Sequence, residues 1–517
     1  MANEIELVLD FADPTDPACK RPLGDYRYST VLHKTNRADE SDVYCGLDML
    51  NKPVDRSATI PSKFATSFDL LVHAANLHPN VEHLGVREKL VEPDGKETLG
   101  EYKWTTLSES VETIRIIGTA LISEPGLVEE IHLEDAILKS GRLLVFDELS
   151  QENLASVKEL GLKHIHMDEL LAKYKDKVIQ PPKRRREDIA TIVYTSGTGG
   201  SPKGALHSNL SLMTLFSRLA LSGNRLRLFP HFSTISYLPL SHVYERFVEH
   251  YCALRLCRIG YYGGNIRNLL DDIKTLKPHV IVGDYRDPHK GTIGGPIGDV
   301  IFKIRSIPDM EYDARGNPPR GELLMKASGT MVGYFMRPDL TSEALDSEGW
   351  YHTGDVVELQ PNMAVKILDR ARNFFKLSQG EYIAPEKLEN LYIKSPYVDQ
   401  IFIHGESKRN HIVGIIVVNV EAVAAWASRN GLANAPVSTL LNDEKLIEEV
   451  TSSLLDIAEK GCLNSLEKLK VFILIDEPFS TSNGLMTPTF KCIRKQIRAR
   501  YEEEINAMYD SNIHLNS

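Results

Sequence analysis

Eleven residues near the middle of the chain, Tyr194 to Gly204, combine glycines, hydroxyl groups and one lysine in the sequence YTSGTGGSPKG. They follow residues 189–193, whose apolar pattern predicts a strand. Closely spaced glycines let the backbone curl with its N–H groups facing inward, and hydroxyl groups and an ammonium add further donors. The pattern predicts a loop that binds the phosphates of a nucleotide. The alternative is a glycine- and serine-rich hairpin loop without function.

The loop differs from that of the P-loop NTPases. Their GxxxxGK[ST] pattern needs glycine where Pro202 stands and a hydroxyl residue where Gly204 stands. The chain also has no segment that matches the second sequence motif of P-loop NTPases. We therefore exclude a P-loop NTPase that performs mechanical work.

Alternating helical and strand patterns predict the elements that position this loop. Apolar residues at helical spacing are followed by short apolar stretches that read as buried strands. Helices are predicted at 150–161, 265–276 and 446–461, strands at 280–283 and 471–475, and a strand followed by a helix at 412–426. Such alternation is typical of an α/β architecture with covered sheets.

The charge balance excludes one class of partner. The 60 Lys and Arg residues face 71 Asp and Glu residues, for a net charge of -11, so no global basic field could hold nucleic acid or anionic lipid. The chain is 42% hydrophobic and 25% charged, as globular proteins are. We predict a protein that binds no nucleic acid.

The same composition predicts an intracellular, reduced protein. Six scattered cysteines form neither a disulfide framework nor a zinc-binding pattern. The first residues are acidic where a secretory signal would be basic and then apolar. No stretch reaches the roughly 18 consecutive apolar residues of a transmembrane helix. We expect a cytoplasmic protein that is not secreted.

The loop and five later segments resemble, in order, the motifs of the adenylate-forming superfamily of acyl-CoA synthetases, acyl ligases and luciferases. The segments are YLPLSHVYER at 237–246, YHTGD at 351–355, LDR at 368–370, FKLSQGEYIAPEKLE at 375–389 and GLMTPTFK at 484–491. The last two are most similar to the long-chain fatty acid branch. The resemblance extends from about Tyr102 to Tyr509.

This resemblance implies an α/β fold of two domains. A large N-terminal domain of covered, mostly parallel sheets would bind AMP, and a small, mobile α+β domain would follow it. We predict an irregular N-terminal arm at 1–60, the large domain at 61–369 and the small domain at 370–517. Some core strands of the family are absent from the sequence, near 121–133 and 283–291.

The resemblance also implies a long-chain fatty acid–CoA ligase that uses ATP, Mg²⁺ and coenzyme A. The fatty acid would be activated to acyl-AMP and then transferred to coenzyme A. The alternative is a catalytically impaired relative that acts as a nucleotide-binding or regulatory partner. Peripheral contact with the endoplasmic reticulum or another intracellular membrane and the oligomeric state stay open.

Each motif carries a role in the family. Lys203 and the preceding loop would hold the β and γ phosphates, with Thr195 also serving the metal ion, and Lys491 would reach the α-phosphate and the incoming carboxylate. The loop residues implied are Thr195, Ser196, Gly197, Thr198, Gly199 and Gly200. Asp355 would accept hydrogen bonds from both ribose hydroxyls, a task suited to a carboxylate.

The remaining residues would serve the ribose, the acyl group and coenzyme A. Arg370 would assist at the ribose, next to Asp369 as the pivot of the small domain. His242 would lie near the carboxylate end of the acyl site. Gly380 and Glu381 would face the active site during thioester formation.

The sequence departs from the family at several points. Gly199 replaces a usual threonine, and Ala371 replaces a usual lysine after the hinge. Only seven residues separate Gly283 from Gly291, where the family has its adenine-binding loop, a tyrosine that packs on adenine and a glutamate that binds magnesium. Without that glutamate, charge on the departing pyrophosphate is poorly neutralised. We therefore expect ATP binding with weak or no thioester formation.

Overall fold

The computed structural model describes residues 29–46, 63–93, 95–124, 142–146, 148–195, 202–214, 232–238, 240, 243–264, 268–278, 291–296, 299–433, 435–487 and 491–510. Its strands are β1 Ser29–His33, β2 Val43–Gly46, β3 Glu82–Val91, β4 Glu97–Thr106, β5 Arg142–Val145, β6 Lys163–His166, β7 Ile189–Thr195, β8 Lys203–Ser208, β9 Ser233–Ser236, β10 Arg258–Tyr261, β11 Ile301–Arg305, β12 Arg320–Lys326, β13 Gly333–Tyr334, β14 Tyr351–Leu359, β15 Val365–Arg370, β16 Phe375–Lys376, β17 Tyr382–Ile383, β18 Val398–His404, β19 Val413–Val418 and β20 Val471–Ile475. Its helices are α1 Ser67–Leu77, α2 Leu107–Ser123, α3 Gln151–Glu159, α4 Met167–Tyr174, α5 Val243–Leu254, α6 Leu269–Leu276, α7 Pro338–Ala344, α8 Pro385–Tyr392, α9 Val420–Arg429, α10 Val437–Leu440, α11 Glu444–Lys460, α12 Arg494–Arg500 and α13 Glu502–Asp510.

The chain forms two compact units. The first contains the described residues of Ser57–Ala190 and Ser208–Asp284, and the second those of Lys20–Arg56, Thr191–His207 and Tyr285–Ser517. In the first unit the strand order is β4-β3-β10-β9, with β10 parallel to both β3 and β9, and β5 pairs in parallel with β6. Most strand pairs described in this unit are therefore parallel, as predicted. Because β3 pairs directly with β10, the four strands form one continuous sheet.

A buried ion pair holds helix α6 to the first unit. Arg87 Nη1 on β3 lies 2.9 Å from both Asp271 Oδ2 and Asp272 Oδ1, and its Nε donates to Gly100 O at 2.7 Å. Asp272 is fully buried and also accepts from Gly263 N at 2.9 Å. Buried charges are tolerated when they are paired and hydrogen bonded, so these contacts fix the helix predicted before Pro278.

The second unit contains an antiparallel six-stranded sheet of order β1-β2-β11-β12-β14-β15. Its first two strands lie in the segment predicted to be an irregular arm, and that prediction is wrong for residues 29–46. Cys45 is fully buried, and the Tyr44 ring stacks on Phe302 with centroids 5.1 Å apart. The two strands are too short for an alternating pattern to stand out, and β2 is stabilised by a partner far away in the sequence.

The last part of the chain forms a three-stranded sheet covered on both faces. Strand β19 is buried at all six positions, is antiparallel to β18 and parallel to β20. Alternate side chains point to opposite faces of a strand. Ile416 and Val418 therefore join a core with Leu388 of α8, whereas Ile415 joins a second core with Ile497 of α12.

Most of the predicted elements in the described residues are confirmed. Helix α3 begins after Ser150, whose hydroxyl accepts from Asn153 N, and α11 ends at Gly461. Strand β19 with helix α9 fills 412–426, and β20 spans Val471–Ile475. The predicted strand at 280–283 and the start of the helix at 265–267 lie outside the described residues. No described helix is both long and apolar enough to cross a membrane.

Candidate functional site

The predicted ribose residues meet across two strands of the second unit. Asp355 on β14 stands directly opposite Arg370 on β15. Arg370 Nε lies 2.8 Å from Asp355 Oδ1, and the Asp355 side chain is only 19% exposed. Burial raises the pKa of Asp355, and the Arg370 guanidinium opposes this shift. The sheet therefore presents a partly buried carboxylate whose second oxygen is not used by the ion pair.

The sequence Thr353-Gly354-Asp355 gives this carboxylate its position. Gly354 has φ of +69°, a left-handed conformation that favours glycine. The Thr353 hydroxyl donates to Leu323 O at 2.8 Å and accepts from Asp355 N at 3.0 Å, and Arg370 Nη1 donates to Thr353 O at 3.0 Å. One buried threonine thus fixes both the acid and its arginine.

Lys491, near the C-terminal end of the chain, acts electrostatically on the same carboxylate. Its backbone N donates to Thr487 Oγ1 at 3.1 Å, and Thr487 N donates to Lys491 O at 2.9 Å. Thr487 is 3% exposed, whereas Lys491 is exposed. The Lys491 and Arg372 charges both lower the pKa of Asp355, against the effect of burial. Motifs that are distant in the sequence therefore share one electrostatic environment.

Lys203 connects to this environment through two tyrosines. It begins β8, and its Nζ lies 5.4 Å from the centroid of the Tyr334 ring on the adjacent strand β13. Burial and the neighbouring Tyr334 side chain raise the pKa of the Tyr351 hydroxyl to about 12. The charge of Arg370 lowers the pKa of Tyr351, and the charge of Asp355 raises it. The tyrosine pair, which the sequence analysis did not identify, joins the phosphate-loop lysine to the ribose residues.

Tyr351 could have been found, because it begins the YHTGD segment. Tyr334 follows a glycine in a stretch without a recognisable motif, so its role depends on the pairing of β13 with β8. Nothing in its local sequence predicts that pairing.

Gly204 allows the strand that carries Lys203 to pack closely. A Cβ at this position would lie 2.7 Å from Ile192 Cγ2 and 3.3 Å from Tyr194 Cζ. We expect Gly204→Ala to displace Lys203 and to destabilise the protein by about 1 to 3 kcal/mol, the usual cost of overpacking. Urea unfolding and ATP titration would measure the two effects. A control is Gly118→Ala, where the added Cβ meets no atom within 4 Å; equal effects at both positions would contradict the explanation.

Asp369, the predicted pivot, is buried and tied to the first turn of helix α8. It is 1% exposed, and its two oxygens accept from Glu386 N at 2.8 Å and from Asn373 Nδ2 at 3.0 Å. Asn373 Nδ2 also donates to Glu386 Oε1 at 2.7 Å. Burial and the Glu386 carboxylate raise the pKa of Asp369 to about 6. A lone Asp-Arg sequence suggests a surface ion pair that contributes little to stability. In this structure Asp369 instead belongs to a buried hydrogen-bonded network.

This pKa gives a testable pH dependence. The folded-state pKa lies above the value of about 3.9 for an unfolded chain, so protonation favours the folded state. Stability from Asp369 is full below the unfolded pKa and is lost as the pH rises through 6. Between roughly pH 4.5 and pH 7, the unfolding free energy of Asp369→Asn relative to the parent should rise by about 2 kcal/mol. Asp399→Asn, at an exposed position on β18, should show no such trend in urea titrations.

Residues 120–285 match a family model described as AMP-binding enzyme. The chain is 27% identical over 653 residues to Long chain acyl-CoA synthetase 7, peroxisomal, of Arabidopsis thaliana, over 93% of this chain and 91% of the relative. It is 28% identical over 519 residues to Long-chain-fatty-acid--CoA ligase 5 of Rattus norvegicus, over 79% and 72%. The chain is thus similar to AMP-binding enzymes and to long-chain acyl-CoA synthetases. The adenylation domain of a carboxylate reductase from Mycobacterium chelonae matches the structure with a TM-score of 0.71 at 18% identity, over 98% of this chain and 96% of that domain.

The chain therefore has the adenylate-forming fold predicted from its motifs. The alignment with the Arabidopsis synthetase is at least 136 positions longer than the 517-residue chain, so that relative contains internal segments absent here. The shortening predicted from the sequence agrees with this difference. The predicted positions of the gaps lie largely outside the described residues.

Several predicted site residues lie outside the residues that the structure describes. Ser196, Gly197, Thr198, Gly199, Gly200 and His242 lie outside the described residues. Thr195 is the last residue of β7, and the structure describes its backbone only. The roles predicted for these residues stay predictions.

Gly380 and Glu381 lie in a tight turn between β16 and β17. Gly380 has φ of +95°, and Leu377 N donates to Glu381 O at 2.9 Å. The turn is held from outside, because Ser378 N donates to Arg409 O at 2.9 Å. The Glu381 side chain is exposed on this turn. A turn of this kind can present backbone and carboxylate groups to a ligand without moving itself.

Proposed function

We propose that this protein is an ATP-dependent long-chain fatty acid–CoA ligase of the AMP-binding enzyme family. The observation that carries the proposal is the shared environment of Asp355, Arg370 and Lys491, three residues from separate motifs. The relatives named as long-chain synthetases and ligases support the substrate class. The domain boundary proposed at 369/370 falls between the last two paired residues of β15.

In the first step, a carboxylate oxygen of the fatty acid attacks the α-phosphorus of ATP and pyrophosphate leaves. Two anions must meet, so positive charge and fixed donors provide most of the acceleration. Lys491 would neutralise the α-phosphate and the carboxylate, and Lys203 would neutralise the leaving pyrophosphate. Asp355 would hold the ribose, so that the α-phosphate stands at a fixed distance from these ammonium groups.

In the second step, the sulfur of coenzyme A attacks the acyl carbonyl, and AMP leaves with the electrons of the broken C–O bond. The turn that contains Gly380 and Glu381 would face the adenylate at this stage. Asp369 and Arg370 would form the segment that changes conformation for this exchange. The hydrogen bonds that Asp369 accepts from Glu386 N and Asn373 Nδ2 hold it in its present conformation. His242 is proposed to lie beside the carboxylate end of the acyl group.

Magnesium would reach the site bound to the triphosphate. Among the described residues, no group of three or more His, Cys, Asp and Glu side chains could hold a metal ion. Mg²⁺ commonly keeps several waters and binds phosphates with one or two protein ligands, so this arrangement fits a phosphate-bound ion. Bound there, it supplies charge neutralisation at the phosphates. Thr195 is the residue proposed to contact it.

The test is the intact chain with ATP, Mg²⁺, palmitate and coenzyme A, with pyrophosphate and palmitoyl-CoA measured separately. Pyrophosphate release that requires palmitate supports the first step, and palmitoyl-CoA formation supports the second. We expect slow turnover, because the sequence lacks the family's magnesium-binding glutamate. ATP binding with neither product, in protein that unfolds cooperatively, would instead establish the nucleotide-binding or regulatory alternative.

A further inference from the structure

The first unit contains a cavity of about 340 Å³ between helices α1, α2 and α5 and strands β3 and β10. Its wall is mostly apolar, formed by phenylalanine, leucine, isoleucine and alanine side chains. The polar lining includes His83, Glu249 and Tyr261. The volume falls in the range of roughly 300 to 1,000 Å³ that is typical of small-molecule sites.

A buried and a half-buried carboxylate, neither of them in an ion pair among the described residues, stand on helix α5. Glu245 is 3% exposed, and Glu249 lies one turn further along and lines the cavity. In each of them Oε1 is buried without a hydrogen-bond partner among the described residues, and neither forms an ion pair there. An ionised carboxylate in such surroundings is costly unless a cation compensates it.

His83 adds a second acceptor to the cavity. It is 5% exposed, and its Nδ1 donates to Cys257 O at 3.1 Å, so the lone pair is on Nε2. Burial lowers the pKa of His83, which keeps the ring neutral at physiological pH. Nε2 makes no hydrogen bond within the described part of the chain. The polar groups of the cavity thus include two acceptors, the Glu249 carboxylate and the neutral His83 imidazole, beside His250 and the hydroxyl groups of Tyr261, Ser67 and Ser110.

We propose that this cavity binds a small protonated amine with an apolar body, its ammonium group directed to Glu249 and His83 and its apolar body packed against the cavity wall. An ammonium supplies both the donors and the positive charge that these acceptors lack. An alcohol supplies one donor without charge, and a carboxylate brings a charge of the wrong sign. The site is thus distinct in chemistry from the acyl substrate of the proposed ligase.

The proposal includes a pH dependence of binding. Burial and the Glu245 charge raise the pKa of Glu249 to about 7, opposed by hydroxyl groups of Tyr261 on β10 and Ser236 on β9. Helices α1 and α2 present only Ser67 and Ser110 as polar lining, and β3 presents His83. Helix α5 also presents His250 beside Glu249, and burial lowers the pKa of His250. An alkylamine stays protonated from pH 6 to pH 8 because its pKa is near that of lysine, about 10.4. Since Glu249 must ionise, we expect roughly tenfold weaker amine binding at pH 6 than at pH 8.

The experiment is calorimetric titration of the intact chain, without ATP or coenzyme A, with hexylamine, 1-hexanol and hexanoate. We expect hexylamine to bind most tightly and to lose about tenfold in affinity from pH 8 to pH 6. Glu249→Gln should remove at least that factor for hexylamine and leave 1-hexanol unchanged. It should also raise the melting temperature at pH 8 without ligand, because it removes an uncompensated buried charge.

A second pair of variants tests the cavity independently of Glu249. Ile114 lines it and is 41% exposed, whereas Ile122 on the same helix is 56% exposed and does not line it. Ile114→Trp should abolish binding of hexylamine, and Ile122→Trp should not. Equal affinities for the amine and the alcohol, or hexanoate binding that Ile114→Trp abolishes, would overturn the proposal. ATP titration of each variant separates this outcome from failure of the ligase function.

Discussion

Lys491→Ala is expected to lower palmitate-dependent ATP–pyrophosphate exchange about a hundredfold, the usual effect of removing one fixed donor from a developing charge. The ammonium would stabilise charge on the α-phosphate as the carboxylate approaches, and this interaction is stronger in the transition state than in bound ATP. The affinity for ATP should therefore change much less than the exchange rate. Exchange is the measurement of choice, because it detects the first step even where thioester formation is slow.

Lys495→Ala is the matched control for this prediction. Lys495 is exposed on helix α12, four residues beyond Lys491, so its removal changes the net charge equally. It should leave exchange within about twofold, as exposed substitutions away from a site usually do. If both variants lose activity to the same extent, Lys491 acts only through the general field of the C-terminal segment and the proposed role fails.

The placement of Lys491 shows what the sequence could predict. The motif of Lys491 indicated a role at the α-phosphate, and the motif of Asp355 indicated a role at the ribose. Neither motif predicts that the two residues lie near each other. That proximity depends on Thr487 and Lys491 exchanging backbone hydrogen bonds and on the register of β14 with β15. Local patterns predicted α3, α11 and β20 well, because each has its own cap or apolar stripe.

Other features were beyond the reach of local patterns. Strand β2 is stabilised by pairing with β11, far along the sequence, and β1 pairs in turn with β2, so their local residues gave no signal. The contact of Lys203 with Tyr334 likewise needs the pairing of β8 with β13. The buried network of Asp369 could not be inferred from its Asp-Arg sequence, which occurs widely as a surface pair. Non-local pairing, rather than propensity, determines each of these features.

Asp355→Ala is expected to weaken ATP binding by about 3 kcal/mol, roughly a hundredfold in Kd, because hydrogen bonds to a charged acceptor contribute about 1.5 kcal/mol or more each. Two such bonds would be lost if the carboxylate holds both ribose hydroxyls. The change also leaves Arg370 without its partner at 2.8 Å, so a control must remove a comparable ion pair. Glu358→Ala does this, since Glu358 Oε2 on the same strand accepts from Arg320 Nε at 2.6 Å.

The role of Asp355 can be separated from general destabilisation by changing the ligand. The parent should bind 2′,3′-dideoxy-ATP about a hundredfold more weakly than ATP, since the analogue lacks both hydroxyls. Asp355→Ala should bind ATP and the analogue with nearly equal affinity, because the group that distinguishes them is gone. Glu358→Ala should keep the parent's preference for ATP. A preference for ATP that survives in Asp355→Ala would place the ribose elsewhere, and the electrostatic contact between Asp355 and Lys491 would then stabilise only the fold of the second unit.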